Sequence, residues 1–60
     1  MPETVAAVVA NRYIHVICAC GREHDLEPSD DAPAVAHCPC GLTHTASRNP
    51  ADRHLLLVTT

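Results

Sequence analysis

The chain repeats itself once. Cys18-Ala19-Cys20-Gly21-Arg22-Glu23-His24 matches Cys38-Pro39-Cys40-Gly41-Leu42-Thr43-His44, so that two cysteines, a glycine and a histidine coincide at a constant offset of 20 residues. All four cysteines and both glycines of the sequence lie inside this match. Chance rarely concentrates residues in this way, and the match is read as a true internal duplication.

Composition shows why the duplication matters. The chain has 60 residues, enough for one domain, and residues 1–60 are expected to form a single one. A domain of that size hides only roughly 60% of its surface on folding. Hydrophobic residues make up 47%, but alanine is a large part of them, Phe and Trp are absent, and Tyr13 is the only aromatic residue. A core of Val, Leu and Ile on this scale about balances the conformational entropy lost on folding. A further contribution is needed, and the four cysteines are the evident source.

The repeat offers six metal donors: Cys18, Cys20, Cys38, Cys40, His24 and His44. Zinc takes four ligands in a tetrahedron, drawn from thiolate and imidazole, so six donors point to one ion rather than two. Three ligand sets respect the duplication. The first is Cys18, Cys20, Cys38 and Cys40, each motif giving a pair. Residues two apart in an extended strand are roughly 6.5–7 Å apart at Cα, so the chain must turn between the paired cysteines, as Gly21 and Gly41 allow. The second set is Cys20, His24, Cys40 and His44, because side chains four apart are neighbours on one helical turn. Glu23 or Asp25 would then accept an imidazole N–H. The third takes three ligands from one motif and one from the other. Four thiolates leave a divalent site at −2, which would give Arg22, Arg48 or Arg53 a part, whereas the mixed set is neutral. Two disulfides would apply to an exported chain, and four buried free thiols are the bland reading.

Strands surround the motifs. Tyr13–Cys18 alternates, with Ile14, Val16 and Cys18 on one face and Tyr13, His15 and Ile17 on the other. Residues 34–38 form a weaker strand into the second motif, and residues 54–59 a third whose apolar run predicts partial burial on both faces. Val5–Ala10 is a fourth strand or a short helix. Residues 28–33 and 47–50 read as loops, and the acidic run from Glu23 to Asp31 as a solvated one. His15, His37 and His54 lie outside the repeat and read as surface or satisfied strand residues.

At these residues the chain resembles a zinc ribbon, in which two cysteine-bearing knuckles ending in Cys-Gly hold one zinc on a small antiparallel sheet. The resemblance covers Tyr13 to His44 and the final strand, and carries over to Cys18, Cys20, Gly21, Cys38, Cys40 and Gly41. It implies a small metal-stabilised β fold, an antiparallel sheet of three to four strands with two cysteine knuckles around one Zn2+. Zinc-ribbon knuckles usually have two residues between the cysteines; both knuckles here have one. A partial second resemblance is to iron–sulfur proteins of the CDGSH type, whose donor order is met by Cys18, Cys20, Cys40 and His44.

Function classes follow from site and charge. A structural zinc module that presents a surface to a protein partner needs nothing more from the sequence. A nucleic-acid-binding, regulatory zinc ribbon ranks second: the net charge is −3, Arg12, Arg22, Arg48 and Arg53 are scattered, and no aromatic platform exists. Iron–sulfur or thiol redox chemistry is the third class. No enzyme is expected, since hydrolytic zinc needs an open coordination position and a general base, and Glu23 beside His24 is the only suggestive pair. The first residues lack a positive n-region and no segment approaches the ~20 apolar residues of a membrane span, so a cytoplasmic protein without membrane attachment is expected. It is expected as a monomer, or as a dimer through the Leu55–Val58 strand if that edge is exposed.

Overall fold

The computed structural model describes residues 3–60. Six strands form two three-stranded antiparallel sheets. The first contains β1 (Val5–Val9), β2 (Tyr13–Ile17) and β3 (Glu23–Leu26), in the order β1-β2-β3. The second contains β4 (Ala34–His37), β5 (Thr43–Arg48) and β6 (Leu55–Thr59), in the order β4-β5-β6. The expectation of one sheet of three to four strands is therefore corrected. Each cysteine motif is the turn of its own hairpin, so each brings a strand before and a strand after it. Within the expected acidic loop, residues 23–26 are strand β3, and the first two residues of the expected loop at 47–50 belong to β5. Of residues 5–10, expected as a strand or a short helix, Val5–Val9 form strand β1.

The duplication extends into the register. β2 pairs with β3 as Ile14↔Leu26 and Val16↔His24, and β4 pairs with β5 as Ala34↔Ala46 and Ala36↔His44, each position 20 residues on. Alternation then sends Ile14, Val16 and Leu26 from the first sheet and Ala46 from the second into one core, with Ala34, Ala36, Leu55 and Leu57 packed against it. The expected two-faced burial of the last strand is corrected: Leu55 and Leu57 face the core, while Leu56 and Val58 are exposed.

The connections explain themselves locally. β1 turns into β2 through Ala10 and Asn11, both in the left-handed region at φ 52°, closed by the Arg12 N–H donating to the Val9 carbonyl at 3.0 Å. Two positive φ angles give the turn the twist that a tight antiparallel hairpin needs. Between β5 and β6 the Asn49 side chain accepts the Ala51 N–H at 3.0 Å, and the Asp52 carboxylate accepts that of His54 at 3.0 Å. One arginine crosses between the sheets: Arg48, at the end of β5, donates from Nη2 to the carbonyls of Asn11 and Arg12, both at 3.3 Å. No helix among the described residues is long and apolar enough to cross a membrane.

Candidate metal centre

The two motifs fold as the same turn. In the first, the Gly21 N–H donates to the Cys18 carbonyl at 2.8 Å, and the Cys18 N–H to the Arg22 carbonyl at 2.7 Å. In the second, Gly41 donates to Cys38 at 3.0 Å and Cys38 to Leu42 at 2.8 Å. Gly21 has φ 95° and Gly41 φ 102°. A Cβ added at either glycine would meet nothing within 4 Å, so the requirement is for the backbone angle and not for space. The turn also accounts for the single residue between the cysteines. It folds the second cysteine back over the first, and the Cys38 and Cys40 sulfurs stand 3.4 Å apart.

The turns sit at the same end of the molecule and face one another. Cys18 Sγ is 3.5 Å from Cys40 Sγ, and Cys20 Sγ is 3.3 Å from Cys38 Sγ. All four sulfurs lie within 4.8 Å of one another, as free thiols. Cys18 and Cys38 are buried and Cys20 and Cys40 exposed, so the cluster has an inner and an outer pair related by the duplication. With zinc–sulfur bonds of about 2.3 Å, a tetrahedron has edges of about 3.8 Å. Three of the sulfur contacts lie slightly inside those edges and every pair lies within 4.8 Å, so the donor set can close around one four-thiolate ion with small shifts.

The electrostatics of the cluster also match a cation. The Arg22 amide, then the Cys38 thiol, stabilise the Cys20 thiolate and lower its pKa to about 6. At Cys38 the Cys40 amide acts in the same direction, but burial and the thiols of Cys20, Cys40 and Cys18 outweigh it and push the group up to about 12. Cys18 is raised too: the Cys20 amide lowers it, and burial with the Cys40 thiol overcomes that effect. Four sulfurs packed this closely resist carrying four negative charges by themselves, which is the repulsion a divalent ion relieves. Backbone amides face these sulfurs, while Arg48 is committed to the carbonyls of the β1–β2 turn, with Asp30 at 4.0 Å.

His24 and His44 form a separate pair. Their ring centroids are 5.6 Å apart at a tilt of 39°. His44 is fully buried, with Nδ1 3.0 Å from the Thr59 hydroxyl on β6. The Nε2 atoms of both rings are buried without a hydrogen-bond partner. These two imidazoles carry the duplication into the layer next to the core.

The other histidines lie on outer surfaces. His15 sits between two acids of β3, with Nδ1 2.6 Å from Asp25 and Nε2 3.0 Å from Glu23. The Asp25 contact raises its pKa most; desolvation opposes this and Glu23 adds to it. His37 is exposed, with Nδ1 3.4 Å from the Thr43 hydroxyl, and exposed His54 lies 3.6 Å from Asp52. The sequence presents Glu23 and Asp25 as part of a charged run, or as acceptors for the N–H of a ligating imidazole at His24 or His44. Their role as partners of His15 needed the strand pairing His15↔Asp25.

No protein-family model, no curated protein and no solved structure matches the chain. What the site defines is a small all-β chain whose four cysteines can hold a metal ion.

Proposed function

We propose that the chain is a small cytoplasmic zinc-binding protein of zinc-ribbon type, whose single metal ion is structural and which acts as a protein-interaction or adaptor module rather than as an enzyme. The observation that carries the reading is the four-sulfur cluster itself, with two donors from each of two hairpins that belong to different sheets. The proposed ligands are Cys18, Cys20, Cys38 and Cys40. Soft thiolates in a compact four-donor set select zinc over harder divalent ions. An ion there would tie the sheets at one end, Arg48 ties them at the other, and the small core lies between. Because the unfolded chain offers no such preformed set, the free energy of metal binding becomes free energy of folding. When bound, zinc would supply cross-linking and charge neutralisation.

Metal analysis of the purified protein tests this, followed by replacement with cobalt(II). One zinc per chain is expected, and a cobalt form with the intense thiolate-to-metal bands of four sulfurs. A brown protein containing iron would replace the reading with the iron–sulfur one. Weak thiolate bands would move the ligand set toward His24 and His44.

A further inference from the structure

Strand β1 is the least covered element of the fold. All five of its residues are exposed, on both faces. Ala6 and Val8 lie opposite Val16 and Ile14 in the pairing with β2. Those partners are fully buried, yet Val8 is 53% exposed. The second sheet thus covers β2 and stops short of β1. The other face of β1 shows Val5 and Val9, with Ile17 beside Val5. The outer edge of β1 has only small apolar side chains and a row of backbone groups free to pair.

The other edges differ. β3 carries the charged Glu23 and Asp25, and β4 is only four residues long and enclosed by Pro33 and Pro39. Charge, brevity and proline are the devices that protect edges from pairing. β6 exposes Leu56 and Val58, but its inner face is already used by Leu55 and Leu57.

We infer that β1 pairs antiparallel with β1 of a second copy of this chain, joining two three-stranded sheets into one of six. The two-fold axis passes at Ala7. In that register Ala6 faces Val8 on one face, Val5 faces Val9 and Ala7 faces itself on the other, so every cross-strand pair is apolar and the whole strand overlaps. No like charges oppose one another, because Val5–Val9 contains none. Glu3, just before the strand, comes level with Asn11 in the second copy's β1–β2 turn, one residue along the chain from Arg12. The contact is closed by its symmetry, so it ends at two chains and does not propagate. This gives the interaction role proposed above a specific partner, and it does not depend on which ion lies among the sulfurs.

Sedimentation of the metal-loaded protein over a concentration series tests the inference. The expected limiting mass is twice the 6.4 kDa of the chain. Ala7→Lys and Ala7→Glu each place like charges against each other on the axis and raise the dimer dissociation constant by about tenfold or more. An equimolar mixture of the two variants restores association. Ala7 lies on the exposed face of an edge strand, and unchanged circular dichroism and metal content in each variant separate loss of pairing from loss of fold. In the unaltered chain, β1 amides gain protection from hydrogen exchange as concentration rises. A monomer at every concentration overturns the inference. So does a dimer that tolerates Ala7→Lys but is broken by Leu56→Lys, which would place the contact on β6.

Discussion

The two halves of the molecule share a motif, a turn and a strand register, but fill their shared core in opposite ways. At matched positions the first half supplies Ile14, Val16 and Leu26, and the second supplies Ala34, Ala36 and Ala46. Their third strands also join on opposite sides of the hairpin. β1 precedes the first hairpin and pairs with its first strand, and β6 follows the second and pairs with its second strand. The added strands compensate for the difference. β6 brings Leu55 and Leu57 to the core beside the alanines of its own sheet, whereas β1 brings nothing to a face already filled. Duplication has been kept where the chemistry is at the turns, and relaxed where only total volume must be right. Cores tolerate redistribution of volume between positions better than a change in the total.

That asymmetry can be broken directly. Leu26→Ala should cost about 2–5 kcal/mol, since Leu26 is buried in the core and the site cannot collapse fully around the cavity. Ala46→Leu, the matched change in the other half, should cost about 1–3 kcal/mol through overpacking. The double substitution should cost clearly less than the sum, because volume lost by one half is returned by the other. Denaturant titration of the four proteins measures the coupling, and strict additivity would show that the halves do not share one core.

The turns, by contrast, should behave alike. Gly21→Ala and Gly41→Ala should each lose about 1–2 kcal/mol from the left-handed backbone alone. The two losses should agree closely, because φ differs little between the glycines and neither Cβ would meet a neighbour within 4 Å. A large difference in melting between the variants would mean that one knuckle dominates the other.

The smallest effect lies on the outer surface of the first sheet, where His15 has acidic partners and its counterpart Val35 has none. The folded pKa of His15 is raised above its ordinary value of 6.5, chiefly by Asp25. The ion pair therefore adds stability that is fully present below pH 6.5 and is lost as pH rises through the raised folded value. His15→Gln should flatten that part of the stability–pH curve, and NMR titration of the ring should place its midpoint above 6.5. A midpoint at or below 6.5 would remove this contribution.

Much of this arrangement was legible in the sequence, and the misses share one cause. The repeat gave the four cysteines, the turning glycines and their conformation. Alternation gave the buried face of β2. β3 and β5 escaped because their inward residues are His24 and Leu26 in one, and His44 and Ala46 in the other, set among acids, threonines and serine. Buried imidazole and alanine give almost no hydrophobic period. The signal that could have found them was the offset of 20 itself. Carried past the motif, it aligns Leu26 with Ala46, and Ile14 and Val16 with Ala34 and Ala36, which puts a strand on both sides of each knuckle. The meeting of the two imidazoles depends on sheet packing, which strand pattern alone does not specify.

The most direct test of the central claim, that one metal ion held by four sulfurs joins the two sheets, is zinc titration of the metal-free chain followed by amide hydrogen exchange. Protection of β2 and β5 should rise together and saturate at one equivalent of zinc per chain, and should vanish together on chelation. A metal-free chain whose two sheets are already as protected as in the zinc-loaded form would contradict the account.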